Sequence, residues 1–305
     1  GDFPRFNDSP KDPVLNIAKV SELSEAYINQ SAIYKNTLAG YLTRIYKKNN
    51  SKILRRNFKN ELIDLKETGW TIIRLSPGWE LIFKCGILCP KHLPGHAHSD
   101  LLSFELLYNG FPIVSEAGTS LYENSYQRIY ERSGSAHNTL QIAISKDKHN
   151  EKINWIEPLD LFGTFYAGDK PNAIKKCFGK VTNNKFWVSG SHNGYEKYGI
   201  IHSRLIEIES NNDNLLFFKI KDKINSKKEF YWRYWNHLAP KIDQNIFDKL
   251  IEETMLNYKC KMMWSKTSFS EFFGDYQERN SLSFSGKSTK NETILEFKYK
   301  IDKNN

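Results

Sequence analysis

The sequence predicts a mainly β protein, an antiparallel β-sandwich preceded by a short helical segment. Three observations lead there. From about residue 68 the chain breaks into short runs of β-branched and aromatic residues. Gly, Asn and Asp punctuate those runs, with Asn109-Gly110, Asn193-Gly194 and Asn212-Asp213 as the turn signals. No helical period of useful length alternates with them, so the arrangement is that of a sandwich and not of repeated βαβ units.

The elements follow in order. Residues 1–12 are rich in Pro and Asp and read as irregular. Over 13–49, Leu15, Ile17, Ala18, Val20, Leu23, Ala26 and Tyr27, then Ile33, Leu38, Tyr41, Leu42 and Ile45, recur at helical spacing, which predicts one or two helical hairpins. A basic run follows, Lys47-Lys48 through Lys52 to Arg55-Arg56, read as a solvated face. Strands are predicted over 70–75, 79–87, 101–108, 113–114, 138–144, 186–189, 203–208, 215–220, 230–234 and 293–299. The division is a helical lead-in over 1–67 and a sandwich over 68–305.

Composition narrows the function. With 305 residues and 39% hydrophobic content, the chain can bury a core and is not a disordered tail. Lys plus Arg exceeds Asp plus Glu by 44 − 35 = 9, so a large charged partner is an anion rather than a cation. The basic residues are scattered and form no helix-turn-helix or zinc module, which argues against nucleic acid. Sixteen Tyr and seven Trp suit both stacked sheets and flat platforms for sugar rings. No run of eighteen apolar residues is present to span a membrane. The start at Gly1-Asp2-Phe3-Pro4 carries neither a signal-peptide pattern nor an initiator Met, and reads as a processed chain or a piece of a longer one. Cys85, Cys89, Cys177 and Cys260 lack the spacing of a zinc or redox site and read as buried or free thiols.

Chemistry concentrates in Gly95-His96-Ala97-His98-Ser99-Asp100, with Glu105 and Glu116 downstream and Ser135-Ala136-His137-Asn138-Thr139 beyond. Two histidines two residues apart on extended backbone point to one face, where they could share a metal or a substrate group. Imidazoles with one carboxylate suit zinc or another borderline divalent ion. A cupin-like barrel would place a Glu three or four residues after such a pair. Here the gap from His98 to Glu105 is six residues, which weakens that reading without removing it.

The order of segments resembles the heparinase II/III-like polysaccharide lyases. It runs through Gly95 to Asp100, Leu102-Ser103-Phe104-Glu105-Leu106, Tyr108-Asn109-Gly110, Glu116-Ala117-Gly118-Thr119, Tyr130-Glu131-Arg132-Ser133 and Ala136-His137-Asn138-Thr139. His192-Asn193-Gly194-Tyr195, His202-Ser203-Arg204, Asp222 and Trp235-Asn236-His237-Leu238 continue it, so the resemblance covers roughly residues 68 to 240. It implies a β-supersandwich domain that, in complete members, packs on an N-terminal α/α toroid and closes over an acidic polysaccharide. The residues Asp2 to Ser9 look like the exit of that toroid.

The activity so implied is β-elimination at a uronate. The proton at C5 becomes acidic once donors neutralise the adjoining carboxylate, and a Tyr or His removes it. By this resemblance His96 is the catalytic histidine and Tyr130 the catalytic tyrosine, with Tyr122 and Tyr126 in reserve. Arg128, Arg132 and Asn138 would bind substrate. His98, Glu116 and His137 would hold a metal, usually zinc; Glu116 stands where the family usually has the shorter Asp. His192, His202 and His237 are assigned to structure. On a straight strand His98 and Glu116 would lie roughly 17 Å apart, so a shared site requires a bend between His98 and Leu101.

The expected function is therefore the C-terminal domain of a periplasmic or secreted bacterial lyase, poorly active without its toroid. Its substrate would be a heparan-like, alginate-like or bacterial surface polysaccharide. A non-catalytic glycan-binding or assembly domain of the same fold, and a cupin-like metal enzyme, stand as alternatives.

Overall fold

The computed structural model describes residues 6, 8, 59–89, 94–146, 152–168, 171–211, 215–242, 260–288 and 291–302. The predicted helical hairpins and the basic run lie outside these residues, as does Asn212-Asp213. The predicted strands are present, some longer than expected and those predicted over 79–87, 101–108 and 138–144 shorter, within three antiparallel sheets and a two-stranded ribbon of β7 (Leu161–Phe162) and β8 (Tyr166–Ala167).

The first sheet is a meander of β1 (Glu61–Leu65), β2 (Trp70–Leu75), β3 (Trp79–Lys84), β4 (Phe104–Tyr108) and β5 (Phe111–Val114). β1 falls inside the stretch assigned to the helical lead-in, so the sandwich starts earlier than residue 68. Pairing of Glu61–Leu65 against β2 holds this short segment in the sheet. Asn109 and Gly110 take φ of 51° and 82°, the two left-handed positions of a tight hairpin, and pair Tyr108 with Phe111 as the turn signal predicts.

A four-stranded sheet pairs β6 (Leu140–Ala143), β13 (Phe230–His237), β15 (Gln277–Ser288) and β14 (Lys261–Phe269). A bridge between Val114 and Leu238 stitches it to β5, so the two sheets continue as one layer. The facing layer runs β9 (Ala173–Thr182), β10 (Lys185–His192), β11 (Ile200–Ser210), β12 (Leu215–Ser226) and β16 (Glu292–Asp302). In β11 buried and half-buried residues alternate without a break, which is the signature of a strand with one face in the core. Phe104 meets Phe218 at 5.2 Å between ring centroids, and Tyr234 meets Phe297 at 4.4 Å, so both sheets of the first layer pack on the second. This open two-layer sandwich is not a closed cupin barrel.

Two insertions build the working edge. Between β3 and β4 the chain carries His96 to Asp100; between β5 and β6 it forms α1 (Tyr126–Arg132), capped by Ser125, whose side chain accepts from the N–H of Arg128. A second small cluster forms on the outer face of the first sheet, where Phe6 is buried on Ile82 and Leu107 against Trp70 and Ile72. That packing fixes a residue from the start of the chain beside the site. All four cysteines are free thiols, Cys85 and Cys89 buried; burial pushes the Cys85 thiol up to about 11.

Candidate functional site

The bend required between His98 and Leu101 is present. Residues 97–103 leave the strand conformation, Ser103 N–H closes a turn on Asp100 O at 3.2 Å, and Leu102 takes φ of 60°. A left-handed Leu is held only by its surroundings. Leu102 N–H donates to Lys84 O at 2.9 Å, and Arg204 Nη1 donates to Leu102 O at 2.8 Å from across the sandwich. The buried Lys84 ammonium reaches both carboxylate oxygens of Asp100 at 2.6 Å and holds that carboxyl below its usual range against the pull of burial.

The bend brings the buried rings of His98 and His137 to 5.5 Å between centroids. Glu116 binds His137 Nδ1 with one oxygen and takes Ser103 Oγ and the Asn138 backbone N–H on the other. Glu105, the carboxylate of the cupin reading, instead accepts the Glu116 N–H at 3.0 Å. Arg279 reaches from β15 to the carbonyls of Ser115, Glu116 and Ala136, tying the carboxylate's strand to the histidine's loop.

Asp8, a residue sequence reasoning did not single out, is the hub of the site. Its carboxylate meets His96 Nδ1 at 2.7 Å, His98 Nε2 at 2.8 Å and Thr119 Oγ1 at 3.0 Å. Arg128 grips it with both terminal nitrogens, at 2.5 and 2.8 Å. Hydrogen bonds from His98 and Arg128 hold the Asp8 carboxyl far below the usual range although burial opposes them. His98, fully buried, is pulled down to about 4 because desolvation outweighs Asp8. The one available signal was the resemblance of Asp2 to Ser9 to a toroid exit, which names a segment and not a residue.

The expected site residues thus separate. His96 has a side chain 43% exposed, within 5.8 Å of the Tyr122 ring. Arg128 is buried beneath Tyr122 and Phe165, 5.0 and 5.6 Å from their centroids. Tyr130 differs from expectation: its hydroxyl is buried and turned toward Arg279 and Arg233. The tyrosine sharing the open edge with His96 is Tyr122, while Tyr126 is 93% exposed. Arg132 spends its guanidinium on the carbonyls of Ala97, Gly163 and Tyr166, so it braces loops and does not face a substrate. Asn138 is likewise turned inward, donating to Phe104 O and accepting from the His237 N–H.

Beneath the site lies a second polar network. His192 meets His202, His202 Nε2 meets Asp222 at 2.7 Å, and Arg204 binds both Asp222 oxygens at 2.8 Å, all fully buried. Burial holds His192 well below 6.5 and lowers His202, while His237 on Ser281 is also held far down. Folded-state values below the unfolded one mean stability that is present above about 6.5 and lost as pH falls toward the folded values. Urea unfolding at pH 7.5, 6 and 5 is therefore expected to show stability falling at each step, by about 1 kcal/mol per pH unit for each of His192 and His237. An unchanged free energy across that range would contradict the neutral assignment.

Among the described residues no three His, Cys, Asp or Glu converge as a ready ligand set. An ionised carboxylate only accepts, so Glu116 requires the proton on His137 Nδ1 and Asp8 requires it on His98 Nε2. The lone pairs then fall on His137 Nε2, which is buried without a hydrogen-bond partner, and on His98 Nδ1. An imidazole backed by a carboxylate is the arrangement that metal-ligating histidines show, and Glu116 contacts His137 and Asp8 contacts His98 in that way.

Fold and site together define a two-layer antiparallel sandwich with a histidine-centred site on its edge. The family model for the Heparinase II/III-like, C-terminal domain matches residues 59–293, and the chain belongs to that family. No protein of curated function matches the sequence. Among solved structures, a heparinase III superposes with TM-score 0.65 at 15% identity over 98% of this chain and 44% of that one. Heparan sulfate lyase HepC from Pedobacter heparinus gives 0.63 at 14% over 99% and 44%. Another heparinase III gene product gives 0.63 at 16% over 98% and 44%. At these identities the likeness concerns the fold, and the chain spans less than half the length of each of the three. No helix among the described residues is long and apolar enough to cross a membrane.

Proposed function

We propose that this chain is the sandwich part of a polysaccharide lyase that cleaves a uronate-containing acidic glycan by β-elimination, with an N-terminal α/α toroid closing the cleft. The observation that carries the proposal is the open edge where the half-exposed imidazole of His96 stands beside Tyr122. Elimination needs two proton transfers at one sugar ring, on the same or opposite faces according to the configuration at C5, and a His–Tyr pair at the mouth of the site supplies both groups. One removes the C5 proton, the C5–H electrons form the C4–C5 double bond, the C4–O bond breaks, and the other protonates the departing oxygen. Arg128, expected to bind substrate, lies under this edge with its fork engaged by Asp8. The net charge of +9 favours approach of an anionic polymer.

His98 and His137 would hold zinc or another divalent ion, with Asp8 and Glu116 orienting them. Bound there, the ion would supply fixed positive charge beneath the cleft. Elemental analysis of the purified protein is expected to find about one metal per chain, lost in His137→Ala; a wild type free of metal after refolding with zinc would remove this part of the reading.

A periplasmic or secreted location suits a polymer of this kind. The function is tested by incubating the protein with heparan-like, alginate-like and bacterial surface polysaccharides and following the ultraviolet absorbance of unsaturated uronate. Binding with slow release is expected from the 305 residues alone, and fast release when a toroid is supplied. Rapid release by the chain alone would overturn the need for a toroid. Absence of both binding and product with every polymer would overturn the lyase reading.

A further inference from the structure

We infer that Asp8 is the positioning residue of His96: its carboxylate keeps the proton on Nδ1 and leaves Nε2, on the open side of the ring, as the nitrogen that exchanges protons with substrate. The inference rests on the reading of His96 as the proton-transferring imidazole and assigns a role to a residue outside the sandwich strands.

Five observations converge. Arg128 binds both oxygens of Asp8, at 2.5 and 2.8 Å, a pairing that requires the ionised form. An ionised carboxylate has no proton to give, so the Asp8–His96 contact at 2.7 Å is a bond donated by His96 Nδ1–H. Asp8 is itself anchored, since Phe6, two residues earlier, is buried on Ile82 and Leu107, 5.7 Å from the Trp70 ring, with the Lys84 ammonium 5.7 Å from its own centroid. The carboxylate side chain is 1% exposed and the His96 side chain 43%, so the buried partner fixes the exposed one. Thr119 and His98 donate to the same carboxylate and lock its orientation.

The same logic orders the general acid–base histidine of hydrolytic triads, where a buried Asp selects the tautomer and its amide variant loses rate with geometry intact. Here the Asp lies 88 residues before the histidine, so the placement of Phe6 and Asp8 and the competence of His96 become one event.

Long-range proton–nitrogen correlation spectra of the protein with nitrogen-15 histidine, near pH 8, read the tautomer directly, with His96→Gln assigning the signal. The expected result is a protonated Nδ1 and a bare Nε2 on His96. Asp8→Asn is expected to shift the population toward the Nε2–H form and to lower kcat by roughly 10²-fold or more with a smaller change in KM. Asp8→Glu should restore part of both. A wild-type His96 protonated on Nε2, or an Asp8→Asn protein unchanged in tautomer and kcat, overturns the inference. Should Asp8→Asn fail to fold, the wild-type spectrum still decides it. Failure of the lyase reading has a separate signature, since a wild type that releases no unsaturated product can still show or lack the Nδ1–H tautomer.

Discussion

Arg204→Ala is expected to destabilise the protein by about 3–5 kcal/mol, the cost of leaving a buried charge without its partner. Arg204 is 1% exposed and binds both oxygens of Asp222, which is completely buried. Desolvation alone would raise the Asp222 carboxyl, and Arg204 and His202 together hold it well below the usual range. Removing the guanidinium leaves His202 as Asp222's principal counterpart, and that histidine is itself biased toward neutrality by burial. The same residue donates to Leu102 O and Asn138 O at 2.8 and 2.7 Å, so its loss also releases the left-handed Leu102 and the loop that carries His137. Urea or thermal unfolding measures the effect. Arg204→Lys should recover little, because an ammonium cannot make the bidentate pair and the two carbonyl contacts together. Lys219→Ala, which removes part-exposed contacts to Glu207 and Glu296, should cost below about 1 kcal/mol. A loss under 1 kcal/mol in Arg204→Ala would mean that the network does not support the fold.

His96→Ala is expected to reduce β-elimination by roughly 10²–10⁴-fold while leaving the unfolding midpoint close to wild type. The two readouts separate because the ring is half-exposed and lies at the rim, whereas Asp8 keeps Arg128, His98 and Thr119 as partners when it is gone. His98→Ala is the contrasting variant: its ring is fully buried between Asp8 and His137, so stability should fall together with rate. Product formation at wild-type rates by His96→Ala would transfer proton exchange to Tyr122 alone.

Strands with a clear apolar face were legible. β2 and β13 stand out because Trp, Tyr, Phe and Ile are dense in them, and the Asn109-Gly110 turn was legible to the residue. β9 and β15 were not, because Ala173–Thr182 and Gln277–Ser288 are rich in Lys, Ser and Gly and owe their conformation to neighbours on the sheet. The placement of β1 at Glu61–Leu65 escaped for the same reason, since five residues paired to β2 carry little pattern of their own.

The candidate site divides in the same way. The His96-Ala97-His98 and Ala136-His137-Asn138 segments were legible from residue type and order, and the need for a bend after His98 followed from strand arithmetic. By itself, then, the sequence determined the β class, the family's motif order and which imidazoles are present. Tertiary structure alone decided their partners: Asp8 on His96, His98 and Arg128, Glu116 behind His137, Arg132 on loop carbonyls, and the Tyr130 hydroxyl turned inward with Tyr122 at the rim. The reason is one of length scale. A hydrogen bond is made or lost within a few tenths of an ångström around 2.8 Å, and pairs such as Asp8–His96 join residues far apart in the chain, whereas sequence periodicity fixes only the face on which a side chain lies.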